Sequence, residues 1–531
     1  MAKSPCVGWR VCTECLFGLT FVVLLVTSVV VSADEIAPVK HPFLEWYGLW
    51  PGRTAIGEDG QTWTQDKPEG VRLAVQLARK SRIFIQREKP WEQSSANPIT
   101  AIAHDGKIKL WYRAAGVEEN AEMFVAYAES DDGFNWQRPN VGVVEYQGST
   151  ANNLLFRIKD FASESIFLDP SAPPQERYKA ISRTSIFYYK GVRQESMSYE
   201  RKWKIRREMD AKGYTREQKR KELYFELFLL GATSPDGLRW HFIKEPILAF
   251  GRSGLDSQNI ASYDPTSGKY AFYLRRGKDR RRSVVRSEGD DFRKMGSAHF
   301  VFGADAQDPI SDDVYASSYC RYPGTDYHLM FPAFYHRLTS CIDVQLAISR
   351  DGVQWTRPGR EPIISRQFDG GEYGMVFAHP NLVPLNDQEW GVIMHGNLDN
   401  HDWGQRYKHN KGLDWRWAVW KKDRLVALEA PVQGRVTTVG RMCHGQGLRI
   451  NFKTQREGGW IKIELVEPPT SPPKQVEVID GFSLDEADVL TGDHFDKTVT
   501  WKGKDDLSSL KGRKISIRIH MARAKLFSIS L

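Results

Sequence analysis

The chain has 531 residues, of which 41% are hydrophobic and 26% are charged, and its formal net charge is +8. These values are ordinary for a globular protein of two or three domains with a large core, and they exclude a disordered or very small, disulfide-stapled chain. Aromatic residues make up 12% of the sequence, which suits either an all-β core or a surface that stacks on sugar rings.

The N-terminus predicts an export signal. Two basic residues, Lys3 and Arg10, precede the apolar run LFGLTFVVLLVTSVVV, and Val31-Ser32-Ala33 is a small-residue cleavage site. We therefore expect residues 1–33 to be a signal peptide and the mature chain to be periplasmic or extracellular. The run is also nearly long enough to span a bilayer, so an uncleaved membrane anchor stays open as the alternative.

The mature chain keeps three cysteines, Cys320, Cys341 and Cys443. Three thiols cannot form a disulfide framework. Cys320 and Cys341 lie in neighbouring predicted strands, so one disulfide between them and free buried thiols are both open.

A repeated turn marks the mature chain. The segment SDDGFNW begins at Ser130, SPDGLRW at Ser234 and SRDGVQW at Ser349. Asp-Gly supplies a tight turn because glycine tolerates positive φ, and the flanking residues favour strands. We expect Ser, Asp and Gly to shape a turn between two strands of a unit, and the Trp to pack between units.

Four-strand units surround these turns. Predicted innermost strands begin near residues 99, 164, 259, 314 and 375. The second unit is lengthened by residues 189–222, a polar and helix-prone insertion with a capping-box pattern at Thr215 and Gln218. Without this insertion each unit spans about 55–65 residues, and four-stranded units repeating on this scale indicate a β-propeller.

The flanks of the propeller carry further strands. Short strands are expected at residues 72–79 and 82–87, and one of them could complete the last blade and close the ring. Beyond Ala430, alternating segments such as GGWIKIELVEP and KGRKISIRIHM predict an antiparallel β-sandwich. We therefore expect an all-β chain with a signal peptide (1–33), an N-terminal extension with ring-closing strands (34–83), a five-bladed β-propeller (84–427) and a C-terminal β-sandwich (428–531).

This arrangement resembles glycoside hydrolase family 32, and the propeller alone resembles family 43. The segments YDPTSGKYAFYLRRG, YHLMFPAFYH and VTWKGKDDLSSLKGRKISIRIHMARAKLFSISL are similar to the blade hairpins and terminal module of exported bacterial family 32-like proteins. The resemblance implies the fold strongly and an activity only weakly. Because PWEQSSANPIT replaces the W-M-N-D-P-N-G motif, and the later Arg-Asp-Pro and Glu-Cys motifs are absent, no catalytic residue is carried over.

Candidate catalytic residues follow instead from propeller geometry, in which the innermost strands line the axis. Glycoside cleavage needs one carboxylic acid to protonate the leaving oxygen and one carboxylate as nucleophile or base. We expect Glu92, Asp256, Asp313 and Glu372 to be these catalytic acids and to share one axial pocket. Each predicted blade has an acid at the entry to its innermost strand: Glu92, Asp160 or Glu164, Asp256, Asp312 or Asp313, and Glu372.

Substrate-binding candidates lie on the same inner hairpins. Trp91 could stack on a sugar ring, and the basic loop RRGKDRRRSVVR, residues 275–286, could favour the uronate or sulfate groups of an anionic glycan. No metal-binding, cofactor or nucleic-acid motif is present in the sequence, although a calcium ion on the axis stays open. Residues that could hold hydroxyls or a carboxylate are Arg113, Arg275, His336, His379 and His395.

Two functions from different classes are open. The first is an exported glycoside hydrolase that acts on a polysaccharide or oligosaccharide through carboxylates in the central propeller cavity. The second is a non-catalytic glycan-binding or cell-envelope propeller. An acid at every inner-strand entry favours the first function, whereas the missing family motifs favour the second.

Overall fold

β-Strands make up nearly all the regular structure in the computed structural model, which describes residues 40–117, 121–194, 199–256, 258–402 and 414–531. The predicted signal peptide, residues 1–33, lies outside the described residues. In the described part of the chain, no helix is both long and apolar enough to span a bilayer.

Three antiparallel blade sheets follow one another along the chain. Each is built from one continuous stretch of the chain, and short turns connect many of the neighbouring strands. Their strands are Ser95–His104, Lys107–Ala115, Met123–Ser130, Trp136–Gln137 and Leu154–Arg157 in the first sheet; Ser163–Leu168, Tyr178–Tyr189, Val192–Gln194, Leu223–Ser234, His241–Phe242 and Leu248–Gly251 in the second; and Ile260–Asp264, Lys269–Lys278, Arg281–Gly289 and His299–Gly303 in the third.

The predicted fourth and fifth blades form a single eight-stranded sheet, here called the joint sheet, so the region has four blade sheets and not the predicted five. Cys341–Val344 pairs in parallel with Met375–Ala378 and thereby connects the two units. No short turn motif in the sequence predicts this pairing, because the two strands are distant along the chain and pair only in the folded structure. The joint sheet contains Asp312–Ala316, Ala333–His336, Cys341–Val344, Met375–Ala378, Val383–Pro384, Glu389–Asn397, Asp414–Lys421 and Arg79–Ile83.

Three smaller sheets and hairpins complete this part of the chain. Tyr319–Arg321, His328–Met330 and Ala347–Ser349 form a three-stranded sheet. Two hairpins pair Arg53–Ile56 with Thr62–Gln65 and Gln367–Phe368 with Gly371–Glu372. Among the described residues, short 3-10 helices lie at Pro90–Glu92, Pro174–Glu176 and Ser508–Leu510.

The blade sheets have a propeller-like arrangement in which neighbouring innermost strands touch. Ser95–His104 contacts Ser163–Leu168, which contacts Ile260–Asp264. At the other end of the series, Glu389–Asn397 contacts Ser95–His104 again. The first and last sheets therefore meet. The strand that pairs with the last strand of the joint sheet is Arg79–Ile83, which matches neither of the predicted strands at 72–79 and 82–87. The first of those begins at the observed Arg72–Val75, which pairs with the C-terminal sheet instead.

The repeated Asp-Gly turn connects neighbouring sheets through its glycine carbonyl. In the second copy, Ser234 Oγ accepts the Gly237 N–H at 2.9 Å, and Asp236 Oδ1 accepts the N–H groups of Leu238 and Arg239. The Gly237 carbonyl accepts the indole N–H of Trp240 at 3.0 Å and that of Trp111, from the first blade sheet, at 2.8 Å. The turn is thus both a hairpin tip and an intersheet clamp.

The other two copies repeat this clamp. The Gly133 carbonyl accepts the indole N–H of Trp417, from the joint sheet, at 2.8 Å. The Gly352 carbonyl accepts the hydroxyl of Tyr273, from the third blade sheet, at 3.1 Å. The spacing of the motif along the chain therefore reflects the scaffold.

Gly237→Ala should destabilise the fold strongly. An added Cβ would lie 2.6 Å from Trp111 Cζ2, at a φ of +79°. Gly148→Ala is the matched control, because its φ is +81° and nothing lies within 4 Å of the added Cβ. We expect the free energy of unfolding to fall by about 2 kcal/mol more for Gly237→Ala than for the control, measured by urea unfolding. Equal losses would contradict the clamp.

The predicted helical insertion is present as Tyr199–Ala211 and Arg216–Glu222. Thr215 and Gln218 form the expected capping box at the second helix. The insertion extends the hairpin of the second blade sheet, whose two long strands stay paired as far as Tyr189 and Leu223.

Replacing residues 190–222 with Asn-Gly should leave the protein folded. Tyr189 and Leu223 lie directly opposite each other, so a two-residue turn can close the hairpin. The helices contribute Ile205 and Met209 to a small apolar cluster that, among the described residues, reaches the blade only at Tyr189 and Leu223, at the end of the hairpin. We expect Tm to change by less than about 4 °C in a calorimetric scan. A shortened protein that fails to fold would show that the insertion belongs to the core.

Eight strands of the C-terminal region and its N-terminal partners are hydrogen-bonded into one sheet, and their division into the two layers of the predicted sandwich stays a prediction. The 17-residue strand Lys514–Ser530 pairs with Val426–Thr437 on one side and with Trp460–Val466 and Arg449–Thr454 on the other. One long strand thus joins elements that alternation alone assigns to separate sheets. The complete set is Lys40–Pro42, Arg72–Val75, Val426–Thr437, Arg441–Met442, Arg449–Thr454, Trp460–Val466, Asp493–Thr498 and Lys514–Ser530.

The cysteines of the described chain, Cys320, Cys341 and Cys443, are free and buried. The disulfide that the sequence left open between Cys320 and Cys341 is therefore absent. Burial raises the pKa of the Cys320 thiol to about 12, so this thiol is protonated and unreactive at neutral pH.

Candidate functional site

A cavity of about 280 Å³, here called the central cavity, lies where the innermost strands meet. Ile99 contributes from the first blade sheet and Glu164 from the second. Gln258 precedes the innermost strand of the third sheet, and Tyr315 and His379 come from the joint sheet. All four blade sheets therefore contribute to one concave site, as expected for a propeller.

Glu164 supplies the carboxyl group of the central cavity. Its side chain is only 7% exposed, and the first five residues of its strand, Ser163–Leu168, are all buried. Burial raises the pKa of Glu164, and the nearby guanidinium groups of Arg113 and Arg183 oppose this shift only partly. A buried carboxyl with a raised pKa keeps its proton at higher pH than usual and can act as a general acid.

Asp256 is a second acid that interacts with Glu164 electrostatically. Its side chain is 63% exposed, and its carboxylate lies 3.6 Å from Arg183 and 3.1 Å from Arg275. Arg183 also donates to the backbone carbonyls of Leu255 and Asp256, at 2.7 and 2.9 Å. These contacts hold the segment that carries the second carboxylate beside the cavity.

His379 and His395 form a neutral hydrogen-bonded pair in the cavity wall. His379 Nε2 lies 2.7 Å from His395 Nδ1. Burial lowers the pKa of His395 to about 4 and holds that of His379 well below its usual value. The pair can therefore serve sugar hydroxyls as uncharged hydrogen-bonding groups.

Gln258 determines the direction of this hydrogen-bonded pair. Its amide nitrogen donates to the Ala378 carbonyl at 3.1 Å and lies 3.3 Å from His379 Nδ1. Nδ1 is then the acceptor of His379, and its Nε2–H donates to His395. The Nε2–H of His395 is consequently the remaining donor of this chain of groups.

Polar and aromatic groups complete the cavity wall. Tyr315 and Phe377 pack edge to face with ring centroids 5.6 Å apart. Among the described residues, Arg113 Nε, Ser163 Oγ and Gln258 Oε1 are buried atoms without a hydrogen-bond partner. Buried polar atoms are nearly always satisfied in folded proteins, and two of these residues, Arg113 and Gln258, line the cavity. Their unused polar atoms suit a polar ligand.

The structure does not bring the four predicted catalytic acids into one pocket. Glu92 is fully buried, with 1% of its side chain exposed. Its Oε1 accepts the Tyr112 hydroxyl at 2.6 Å and Arg138 Nε at 2.7 Å, and its Oε2 accepts two backbone N–H groups. It therefore acts as a structural anion that stabilises the chain entering the first blade sheet.

Asp313 and Glu372 also lie away from the central cavity. Asp313 is fully buried between Arg282 and Arg337, and Glu372 is an exposed hairpin residue paired with Arg366. Only Asp256, of the four, lies beside the cavity. Successive side chains of a strand point to opposite faces, so an acid at a strand entry has no fixed direction until the register is known.

The predicted binding residues divide in the same way. Trp91 is buried in the core and donates its indole N–H to Asn153 at 2.9 Å, so it cannot stack on a sugar. His336 lies between Asp343 and Asp312, whose hydrogen bonds and charges raise its pKa. By contrast, Arg113, His379 and His395 line the cavity, and Arg275 adjoins it through Asp256.

Sequence reasoning left Glu164 as an alternative to Asp160 and missed Gln258, Tyr315 and Phe377. A usable signal was present for Glu164, since it is an acid inside the otherwise apolar and small-residue strand SESIFL. Among the described residues, no group of three or more His, Cys, Asp and Glu side chains could hold a metal ion.

No protein-family model and no curated protein match the chain. A solved family 117 glycoside hydrolase, Zg3597 from Zobellia galactanivorans, is 12% identical over 67% of this chain and 91% of its own, with a TM-score of 0.36. The family 32 β-fructofuranosidase BmSUC1 of Bombyx mori is 8% identical over 87% and 93%, with a TM-score of 0.36. A putative glycosidase from Bacteroides thetaiotaomicron is 15% identical over 62% and 88%, with a TM-score of 0.32.

Proposed function

We propose that the protein is a glycoside hydrolase that cleaves a polysaccharide or oligosaccharide in the central cavity. The observation that carries the proposal is Glu164, a buried carboxyl with a raised pKa in a cavity of aromatic and neutral polar groups. Cavities with few converging polar groups and a perturbed acid are the usual setting of such chemistry.

The proposed reaction divides the work between two acids. Glu164 donates its proton to the glycosidic oxygen as the bond to the anomeric carbon breaks. Asp256 acts as the nucleophile or as the base that activates water. Tyr315 and Phe377 provide apolar faces for the sugar ring, and His395 and Gln258 bind its hydroxyls.

A non-catalytic glycan-binding function is the second candidate. Of the described residues that line the cavity, Glu164 is the one acid, whereas glycoside cleavage uses two. The carboxylate of Asp256 is already engaged by Arg183 and Arg275. In this alternative the same cavity would bind a glycan without cleaving it.

A glycan panel tests both candidates. Purified protein is incubated with neutral and anionic oligosaccharides, and reducing-sugar release and calorimetric binding are measured in parallel. Cleavage supports the hydrolase, and binding without cleavage supports the second candidate. A protein that neither binds nor cleaves any member would contradict both. The anomeric form of the first product then distinguishes retention from inversion.

We also propose that the protein is exported. This proposal rests on the predicted signal peptide, residues 1–33. The domain boundaries near residues 84 and 428 are likewise proposals from the sequence. The N-terminal residue of the mature protein would separate cleavage after Ala33 from an uncleaved anchor.

A further inference from the structure

We infer that the central cavity takes an anionic sugar, with a uronate carboxylate or a sulfate ester close to the bond that is cleaved. The inference rests on the proposed function for its site, and it adds the chemical class of the substrate. The groups that carry it are the arginines around the cavity, above all Arg113.

Guanidinium groups outnumber carboxyl groups at this site. Arg113 lines the cavity. Arg183 and Arg275 form ion pairs with Asp256, which lies beside the cavity. Against these three cations stand Glu164 and Asp256. The two cavity histidines are neutral. The excess positive charge favours an anion over a neutral sugar.

Arg113 has donor capacity that the protein does not use. Its Nη2 donates to the Ser163 carbonyl at 2.9 Å and lies 3.5 Å from Glu164 Oε1. Its Nε is buried and has no partner among the described residues. Because a guanidinium binds carboxylate and sulfate through two parallel N–H groups, an unused Nε is the group that such a ligand would take.

Arg275 adds a second cation at a defined position. Its guanidinium lies 4.4 Å from the ring centroid of Tyr315, which lines the cavity, and 3.1 Å from Asp256. Arg282 lies 5.2 Å from the same ring. Arginine held on an aromatic face is ordered in advance, so it loses little conformational freedom when an anion arrives.

The hairpin that carries Arg275 extends the positive field. Residues 275–282 contain six cationic side chains and one acid, Asp279. Some of these cations stabilise the fold, since Arg281 donates hydrogen bonds to the Asp312 and Pro309 carbonyls. The net charge of the hairpin nevertheless steers anionic glycans toward the site, and this attraction weakens with salt.

Matched ligand pairs test the inference. Oligogalacturonides are compared with their methyl esters, and sulfated galactan oligosaccharides with the same chains after desulfation, in calorimetric titrations at low and high salt. We expect the charged member of one pair to bind about tenfold more tightly than its neutral counterpart, with a preference that shrinks at high salt. The responding pair identifies carboxylate or sulfate as the recognised group.

Arg113→Gln should remove this preference by weakening the charged ligand about tenfold and the neutral ligand much less. Arg113→Lys should retain part of the preference, because it keeps the positive charge but loses the two parallel N–H groups of the guanidinium. The matched control is Arg293→Gln, an exposed arginine paired with Glu176, which should change neither affinity. Tm of each variant establishes that it is folded.

The outcomes separate the inference from the proposed function. Cleavage of neutral glycans with no charge preference would overturn the inference and keep the hydrolase. Tight binding of a charged glycan that is never cleaved would keep the inference and overturn the hydrolase. Equal weakening of charged and neutral ligands by Arg113→Gln would also overturn the inference, since Arg113 would then only shape the cavity.

Discussion

Glu164→Gln should lower turnover of the preferred glycan by about 10²–10⁴-fold while leaving its affinity nearly unchanged. Gln has the shape of the protonated acid but cannot deliver a proton to the leaving oxygen. Since the pKa of Glu164 is raised by burial, the wild-type rate should fall as pH rises through that pKa. The variant should lose this alkaline decline.

The control for this variant is Glu372→Gln. Glu372 was also predicted to be catalytic, but it is 46% exposed and paired with Arg366, so its substitution should leave turnover within about twofold. Steady-state kinetics over pH 4–9 would measure both variants. Full activity of Glu164→Gln, or a strong loss in Glu372→Gln, would contradict the assignment of the cavity acid.

The same variant has a predicted effect on stability. A carboxyl group whose pKa is raised in the folded state is more stable there when it is neutral. Its contribution to the free energy of unfolding is therefore present at low pH and is lost as pH rises and the group ionises. Glu164→Gln removes this cost of ionisation. Its Tm should therefore match the wild type at pH 5 and equal or exceed it at pH 8.

Glu92→Gln should instead destabilise the protein by about 3–5 kcal/mol. The Glu92 carboxylate accepts the Tyr112 hydroxyl, Arg138 Nε and Nη2, and two backbone N–H groups. Gln removes the negative charge and puts an N–H₂ group among donors. The buried Arg138 guanidinium, 5% exposed, then keeps only the exposed carboxylate of Glu88, at 3.3 Å, as its counter-charge. Urea unfolding would measure the loss.

A double variant makes this prediction sharper. Replacing both Glu92 and Arg138 with Leu removes the ion pair without leaving one charge unpaired, and should recover part of the stability lost in Glu92→Gln. Turnover per folded molecule should stay near the wild-type value in Glu92→Gln. An unchanged Tm together with a large loss of turnover would instead return Glu92 to the catalytic site.

Local features of this chain were determined by the sequence alone. Ser234, Asp236 and Gly237 form their turn with hydrogen bonds between residues at most three apart, and the capping box of Thr215 and Gln218 spans three residues. Such features need only hydrogen bonds between residues that are close in sequence. The starts of the innermost strands followed from similar short-range patterns, whereas the bounds of the ring-closing strand did not, because its pairing with Asp414–Lys421 joins residues more than 330 positions apart.

The candidate site, in contrast, was decided by the tertiary structure. Glu164 is a cavity acid because burial and residues more than 50 positions away, among them Arg113 and Asp256, set its environment, whereas Glu92 meets the buried Arg138. The merging of two predicted blades likewise depends on one contact between Ile342 and Met375. Alternation along a strand shows that one face is buried, but it does not show which residues pack against that face. The protonation state, partners and role of a carboxyl group depend on those residues.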